Sequence, residues 1–507
     1  MRSGSDYLAS LKDARRVFVD GEPVQDVAHH PAFAPIARTV AGLFDTAADP
    51  ASGIARTDPG TGATVNRLFT APRSREDLTA YREAATTWAR ETHGWVGRSP
   101  DHVGAFFAAF AAHPEAFGTY SSSAAGSAAG SAAGSASGSA AGEHDFAANV
   151  AAYQKRIVDE DLYLSYAIIP PQVSRATTAH AWDGDLVQVG VAEERADGIV
   201  VRGAQMLATG GAVADEIFVS CIKPLGPEDT DFALSFAVPV GAEGLKLYCR
   251  RPYAPAASSA YDYPLTTRFD ETDALLVFDD VFIPWERLFV YRDVAGLRRQ
   301  FFDTGAHVLG NWQAQNRFAV KLQFLAGLAR KVAAVNGVDK FPGVVEKLGE
   351  LASLASLVES GVLAAEYTAE PDEQGLWRPG ARAVYGAMGL QSELYPRVLA
   401  ILRDLVGGGV LQVPSSVADM TNPESRADID RYVHSPNADA EQRVKLFKLA
   451  WDAVGSEFAG RHHQYELFYA GAPFVVKGYA FRNYGFDGPL ADVDAFLAGY
   501  GLETTPA

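Results

Sequence analysis

The sequence places an arginine and a histidine four residues apart, in Gly97-Arg98-Ser99-Pro100-Asp101-His102. A guanidinium stays charged at any working pH, so Arg98, in a turn bounded by glycine and proline, can face developing negative charge. An unperturbed imidazole has a pKa of about 6.5, so His102 can accept a proton near neutrality. Arg98 also has a plainer reading, as a helix-start arginine paired with Asp101. Arg461, in Gly460-Arg461-His462, carries a planar fork suited to phosphate or carbonyl oxygens, or else pairs within its helix with Glu457. His307 is open between a base and a structural histidine. Asp270 and Glu271 follow Arg268 and either belong to a site or cap and pair locally.

Other chemistries are excluded. Cys221 and Cys249 are the two cysteines, with no CxxC and no histidine cluster beside them. A disulfide framework, a structural zinc and a thiolate-held iron–sulfur cluster are therefore not expected, and no metal is. No strand is followed by GxGxxG, and GxxxxGK[ST], HExxH and GxSxG are absent. A nucleotide cofactor must then be held without a Rossmann unit or a P-loop. The net charge of −18, from 44 basic and 62 acidic residues, argues against a nucleic-acid or anionic-membrane surface. No signal-peptide apolar region and no uninterrupted apolar run of about 18 residues occurs, so a cytoplasmic chain with no membrane helix is expected.

The elements that must position these residues fall into three blocks, in keeping with 507 residues of which 48% are hydrophobic and 21% charged. Residues 1–161 read as mainly helical. Helical spacing runs over Pro35–Phe44 and over Arg75–Thr92, with Ser74 as N-cap, and resumes over Val103–Ala112. The Ser/Ala/Gly tract at 121–142 has almost nothing to bury and reads as a flexible loop. Residues 162–290 read as an antiparallel β domain. Its candidate strands are Leu186–Val191, Ile199–Val201 after the turn signal Asp197-Gly198, Glu216–Ile222, Phe232–Val240, Gly244–Arg250, Ala274–Phe278 and Val281–Ile283. Residues 291–507 return to helix over Asn316–Ala334, Val344–Thr368, Pro396–Leu405 and Ala440–Tyr469, a pattern that predicts a bundle.

Six stretches, in order along the chain, carry a resemblance. They are Tyr7–Asp13 with Asp26-Val27 and His30–Phe33; Gly97–Asp101; Pro171–Arg175; Gly203–Thr209; Phe278–Arg287; and Trp451–Phe458 running on to Glu466. Together they resemble the 4-hydroxyphenylacetate 3-monooxygenase family. The resemblance implies an α+β, acyl-CoA dehydrogenase-like fold: an N-terminal helical domain, a central antiparallel β domain and a C-terminal four-helix bundle. It implies a homotetramer that takes reduced FAD from a separate flavin reductase, reacts it with O2 to a C4a-hydroperoxide, and hydroxylates a phenol or another electron-rich ring.

The resemblance also implies residue roles. Arg98 lies against flavin and substrate hydroxyl and favours the phenolate. The family usually has tyrosine at the position of His102 and histidine at that of Tyr166, so this chain has exchanged the two residue types. His102 is then the proton acceptor and Tyr166 a hydrogen-bond donor, and the exchange weakens 4-hydroxyphenylacetate itself as the expected substrate. His307 stands where chlorophenol-hydroxylating relatives place a catalytic histidine. Gln172, Arg175 and Thr209 match flavin-contacting positions, with Pro170 and Ser174 departing from the usual asparagine and aspartate. Asp270 lies near the site, and Arg461 with Ser456 reaches a neighbouring subunit's flavin. Two alternatives stand beside this: a non-catalytic flavin-binding homologue, and a 4-hydroxybutyryl-CoA dehydratase-like enzyme, whose cluster needs three cysteines and a histidine.

Overall fold

The computed structural model describes residues 1–121, 143–173, 178–181 and 186–502. Most of the predicted loop at 121–142 and all of Ser174 to Thr177 therefore lie outside the described residues. The N-terminal block contains helices α1 (Gly4–Ser10), α2 (Ala34–Ala48), α3 (Arg75–Glu91), α4 (Pro100–Ala112) and α5 (Phe146–Glu160). Ser74 caps α3 by accepting the Asp77 N–H at 3.0 Å. Pro100 opens α4, where its missing N–H costs nothing. Nearly every residue of α4 is buried, because the helix is wedged between the bundle and the strands.

This block also contains a hairpin, β1 (Arg16–Val19) and β2 (Glu22–Val24), in a stretch the sequence reading leaves within a helical region. Its two-residue turn is Asp20-Gly21, both at positive φ (53° and 83°), the geometry that suits the right-handed twist of a hairpin.

The strands that follow are β3 (Leu164–Ala167), β4 (Gly190–Arg195), β5 (Gly198–Gln205), β6 (Glu216–Val219), β7 (Leu234–Pro239), β8 (Leu245–Cys249), β9 (Ala274–Pro284) and β10 (Leu288–Tyr291). They form a six-stranded sheet in the order β2-β1-β8-β9-β5-β4 and a four-stranded sheet in the order β10-β7-β6-β3. Pairing is antiparallel except for β1 with β8 and β3 with β6. The two short strands expected at 274–278 and 281–283 are one strand. A bulge lies between Phe278 and Val281, with Asp280 at φ 53°, so the two aspartates turn outward without breaking the strand. The strand expected from Leu186 begins instead at Gly190.

The C-terminal block holds α6 (Val294–Phe302), α7 (Ala306–Val335), α8 (Pro342–Tyr367), α9 (Ala381–Val406), α10 (Ala440–Val454), α11 (Glu457–Phe468), α12 (Pro473–Asn483) and α13 (Asp487–Ala498). Helices α7, α8, α9 and the α10–α11 pair pack side by side as the bundle, and α7 also packs against α3 and α4. Helix α7 starts ten residues before the predicted Asn316. The helix expected over 440–469 breaks at Gly455, where Ser456 caps α11 by accepting the Ala459 N–H at 3.1 Å. Helix α8 is long and apolar enough to cross a membrane by length and hydropathy, but here it is a wall of the bundle.

Candidate active site

The loop between α3 and α4 is held from both sides. Glu271, just before β9, takes the Gly97 N–H at 2.8 Å and the Arg98 N–H at 2.9 Å, one on each carboxylate oxygen. Tyr469 at the end of α11 donates its hydroxyl to the Gly97 carbonyl at 2.8 Å, and Tyr163 donates to the Arg98 carbonyl at 2.8 Å. The backbone at Gly97 runs against the Tyr465 ring so closely that a Cβ there would collide with the phenol. Three domains thus fix one short loop: α3–α4, the β9 lead-in and α11.

The Arg98 side chain points into an aromatic cage. Its guanidinium carbon lies 3.9 Å from the Tyr469 ring centre, 5.0 Å from that of Tyr166 and 5.6 Å from that of Tyr465. Its Nη2 donates to the Tyr469 carbonyl at 3.0 Å, and its Nη1 is buried without a partner. Burial works against the charge, but the phenol oxygens of Tyr166, Tyr465 and Tyr469 and the Glu271 carboxylate outweigh it, so Arg98 remains a cation. Asp101, the alternative partner, does not meet it. Asp101 accepts from the Ser99 hydroxyl at 2.5 Å and from the Gln313 amide at 2.9 Å, and burial pushes its pKa up to about 6.

His102 lies one turn along α4, its ring centre 5.4 Å from Tyr166 and 6.0 Å from Tyr469. Its Nδ1 lies 3.2 Å from the Gln313 Oε1, and its Nε2 is buried with no partner. Burial, then the Arg98 cation, push its pKa well below the usual histidine value, so the ring is neutral. Arg98, His102 and Tyr166 therefore share one buried cluster, with one N–H of Arg98 and one ring nitrogen of His102 unpartnered.

A second group adjoins it. Thr209 donates to Asp273 at 2.6 Å, and Arg461 donates to the same carboxylate at 2.8 Å and 3.2 Å. Arg461 also lies 3.6 Å from Glu271 and 4.4 Å from the Tyr465 ring centre. It is thus paired with the β9 lead-in and not with Glu457. Ser165, next to Tyr166 on β3, donates to the Thr209 carbonyl at 2.8 Å. Arg98 and Thr209 are in this way tied together twice, through β3 and through the Glu271–Arg461–Asp273 chain. Beside Thr209, Leu207 is exposed and in left-handed backbone, and the Met206 N–H binds the Ile169 carbonyl at 2.8 Å, bringing the Gln172 segment to the same rim. Gln172 itself is exposed and donates to the Pro170 carbonyl at 3.1 Å. Arg175 lies outside the described residues.

Three further predicted residues have partners of their own. Both carboxylate oxygens of Asp270 are taken, by Arg250 at 2.7 Å and the Tyr253 N–H at 2.5 Å. Ser456 is engaged in its cap and lines a separate cavity of about 400 Å³ with Arg403, Gly460 and His463. His307, in the first turn of α7, bonds the Tyr385 hydroxyl at 2.9 Å and packs at a tilt against the rings of Phe302, Tyr385 and Tyr479, where burial alone lowers its pKa to about 4.

The residues that complete the site were not evident from the sequence: Gln313, Asp273, Tyr163, Tyr465 and Tyr469. Behind them Glu466 takes both Arg317 and Lys321, with Gln391 at 2.8 Å, all fully or almost fully buried. Arg461 carries its own signal, since Arg461, Tyr465 and Tyr469 recur every four residues on one helix face. Arg98 Nη1, His102 Nε2, Arg461 Nη1 and Tyr465 Oη are all buried with no hydrogen-bond partner. Such a gathering of unsatisfied polar atoms is what a site completed by a bound molecule leaves, and its cations and donors fit a ligand rich in carbonyl oxygens.

A helical domain, a two-sheet middle and a helical bundle meeting at an Arg–His–Tyr cluster define an α+β protein with a polar site where its elements meet. Family profiles for the N- and C-terminal parts of 4-hydroxyphenylacetate 3-hydroxylase match residues 3–290 and 297–498. The chain belongs to the 4-hydroxyphenylacetate 3-hydroxylase family. It is 36% identical to the 4-hydroxyphenylacetate 3-monooxygenase oxygenase component of Pseudomonas aeruginosa, over 95% of this chain and 89% of that one. It is 38% identical, over 92% and 85%, to a Streptomyces globisporus monooxygenase named for a carrier-protein-bound 3-amino-3-(3-chloro-4-hydroxyphenyl)propanoyl group. A solved oxygenase component of 4-hydroxyphenylacetate 3-monooxygenase, complexed with FAD and 4-hydroxyphenylacetate, superposes with a TM-score of 0.89 at 31% identity, covering 98% of this chain and 99% of that one.

Proposed function

We propose that this chain is the oxygenase component of a two-component monooxygenase that uses reduced FAD and O2 to hydroxylate a phenol beside its hydroxyl group. The observation that carries the reading is the pair of unpartnered buried atoms, Arg98 Nη1 and His102 Nε2, on a cation and a neutral base that face the same ring, Tyr166. When bound, the reduced flavin supplies the electrons that activate O2.

The chain's own residues do the rest. His102 Nε2 takes the phenol proton, Arg98 holds the phenolate oxygen, and the Tyr166 hydroxyl donates to it from the sheet side. Loss of that proton makes the ring electron-rich at the carbon beside the oxygen. Thr209 and Gln172 hold the flavin edge from the β domain and Arg461 from the bundle, and the same role is expected of Arg175, which lies outside the described residues. Burial of the cluster excludes water, which would otherwise waste the activated oxygen. His307 and Ser456 lie outside this arrangement, His307 as a core residue and Ser456 as a cap.

The exposed apolar side chains of α8 (Val345, Leu357, Leu363) and of the C-terminal helices (Phe474, Phe481, Phe496) support a homotetramer, since so much apolar surface is not left to solvent. A separate flavin reductase supplies reduced FAD, and the enzyme works in the cytoplasm. Two cysteines cannot furnish the three thiolates of a dehydratase cluster.

The test is to mix the protein with chemically reduced FAD, isotopically labelled O2 and a panel of para-substituted phenols. A catechol carrying one labelled oxygen is expected. Hydrogen peroxide alone with every phenol would overturn the reading.

A further inference from the structure

Gln313 lies on α7, outside the six matching stretches, yet among the described residues it is the one side chain that bonds His102. Its amide has two different neighbours. One end lies 2.9 Å from the Asp101 carboxylate and 3.5 Å from the Ser99 hydroxyl, the other 3.2 Å from His102 Nδ1. The NH2 end must face Asp101, because the reverse would set a carbonyl oxygen against a carboxylate. The Gln313 oxygen therefore faces His102 and accepts from it. A neutral imidazole carries one N–H, and this bond requires it on Nδ1, leaving the lone pair on Nε2, the atom without a partner.

The geometry points to Gln313 as the positioning residue that sets the tautomer of His102, with Asp101 and Ser99 setting the orientation of Gln313 in turn. The inference rests on the reading of His102 as the proton acceptor and adds how a neutral histidine, standing where relatives use tyrosine, is made to present a base and not a donor. The amide orientation follows from an ionised Asp101, the form present above about pH 6. All members are buried, so no water competes for the amide.

The first experiment needs no turnover. Ring-nitrogen NMR of histidine-labelled protein, differenced against His102→Asn, isolates one of the 11 histidines. The Nδ1–H tautomer is expected in the native chain, and the Nε2–H tautomer in Gln313→Met, which keeps the volume but removes the acceptor. An Nε2–H ring in the native chain, or no change in Gln313→Met, would overturn the inference. The second experiment is kinetic. Gln313→Met is expected to lower kcat by about 100-fold with KM within about twofold, and Gln313→Glu combined with Asp101→Asn, which keeps an acceptor for His102 and a donor–acceptor pair behind it, to recover most of that loss. Equal losses in both variants would also overturn it. Failure of the native chain to hydroxylate any phenol would sink the functional reading and leave the tautomer result standing.

Discussion

At the scale of single residues, the account turns on Arg98 being a fork and not merely a charge. One arm is held by the Tyr469 carbonyl at 3.0 Å, which aims the other, free arm. Lysine would keep the charge but is a single flexible point donor. Arg98→Lys is therefore expected to lower kcat/KM by about 100-fold, as loss of one aimed donor to a developing oxyanion does, measured with saturating reduced FAD. Retention of more than about half the native value would contradict the aiming role. Arg98 was legible through its matching stretch, Gly97–Asp101, and His102 and Tyr166 were expected at their positions from the family resemblance. Gln313 was not legible, because it precedes the helix expected from Asn316, and only the packing of α4 against α7 buries it beside a histidine.

At the scale of elements, the same blindness explains where the helix prediction failed. The first ten residues of α7 bury His307, Asn311, Gln313 and Gln315. Buried polar residues there leave no clean apolar stripe, so periodicity finds the helix only from Asn316 on. The early hairpin was readable in Asp20-Gly21, but its strands are three and four residues long and draw their stability from β8, which lies more than 200 positions away in sequence. Amphipathic helices such as α3, with Ser74 at its start, were legible because pattern and cap agree.

The loop that carries Arg98 depends on Gly97, where any Cβ would strike Tyr465. Gly97→Ala should push the loop away from Glu271 and Tyr469 and displace Arg98. Displacements on the order of 1 Å cost about 100-fold in rate. The expected outcome is that loss in kcat with the thermal midpoint changed by only a few degrees, read by steady-state kinetics and calorimetry. Native turnover in Gly97→Ala would show that the loop's position does not matter.

At the scale of the whole molecule, the buried site makes stability depend on pH. His102, His307 and His462 are fully buried, and burial lowers the pKa of each, that of His307 to about 4. Each is unprotonated in the folded chain but takes a proton once unfolded below about pH 6.5. The unfolded state then binds more protons, so stability falls as pH falls from about 6.5 toward the native values. Asp101, raised to about 6, works the other way: the folded chain takes its proton first and offsets one of the three. Each such histidine contributes about 1.4 kcal/mol per pH unit where it is charged only in the unfolded chain, between about pH 6 and 4. Denaturant titration across that range measures the slope, and His307→Phe should flatten it by about that one contribution. A flat profile would mean that water reaches these rings.

The most direct measurement is a crystal structure of the protein with FAD and a para-substituted phenol. The account predicts the phenol oxygen within hydrogen-bond distance of both Arg98 Nη1 and His102 Nε2, with Thr209 against the flavin ring. A phenol bound elsewhere, with those two nitrogens still unpartnered, would contradict it.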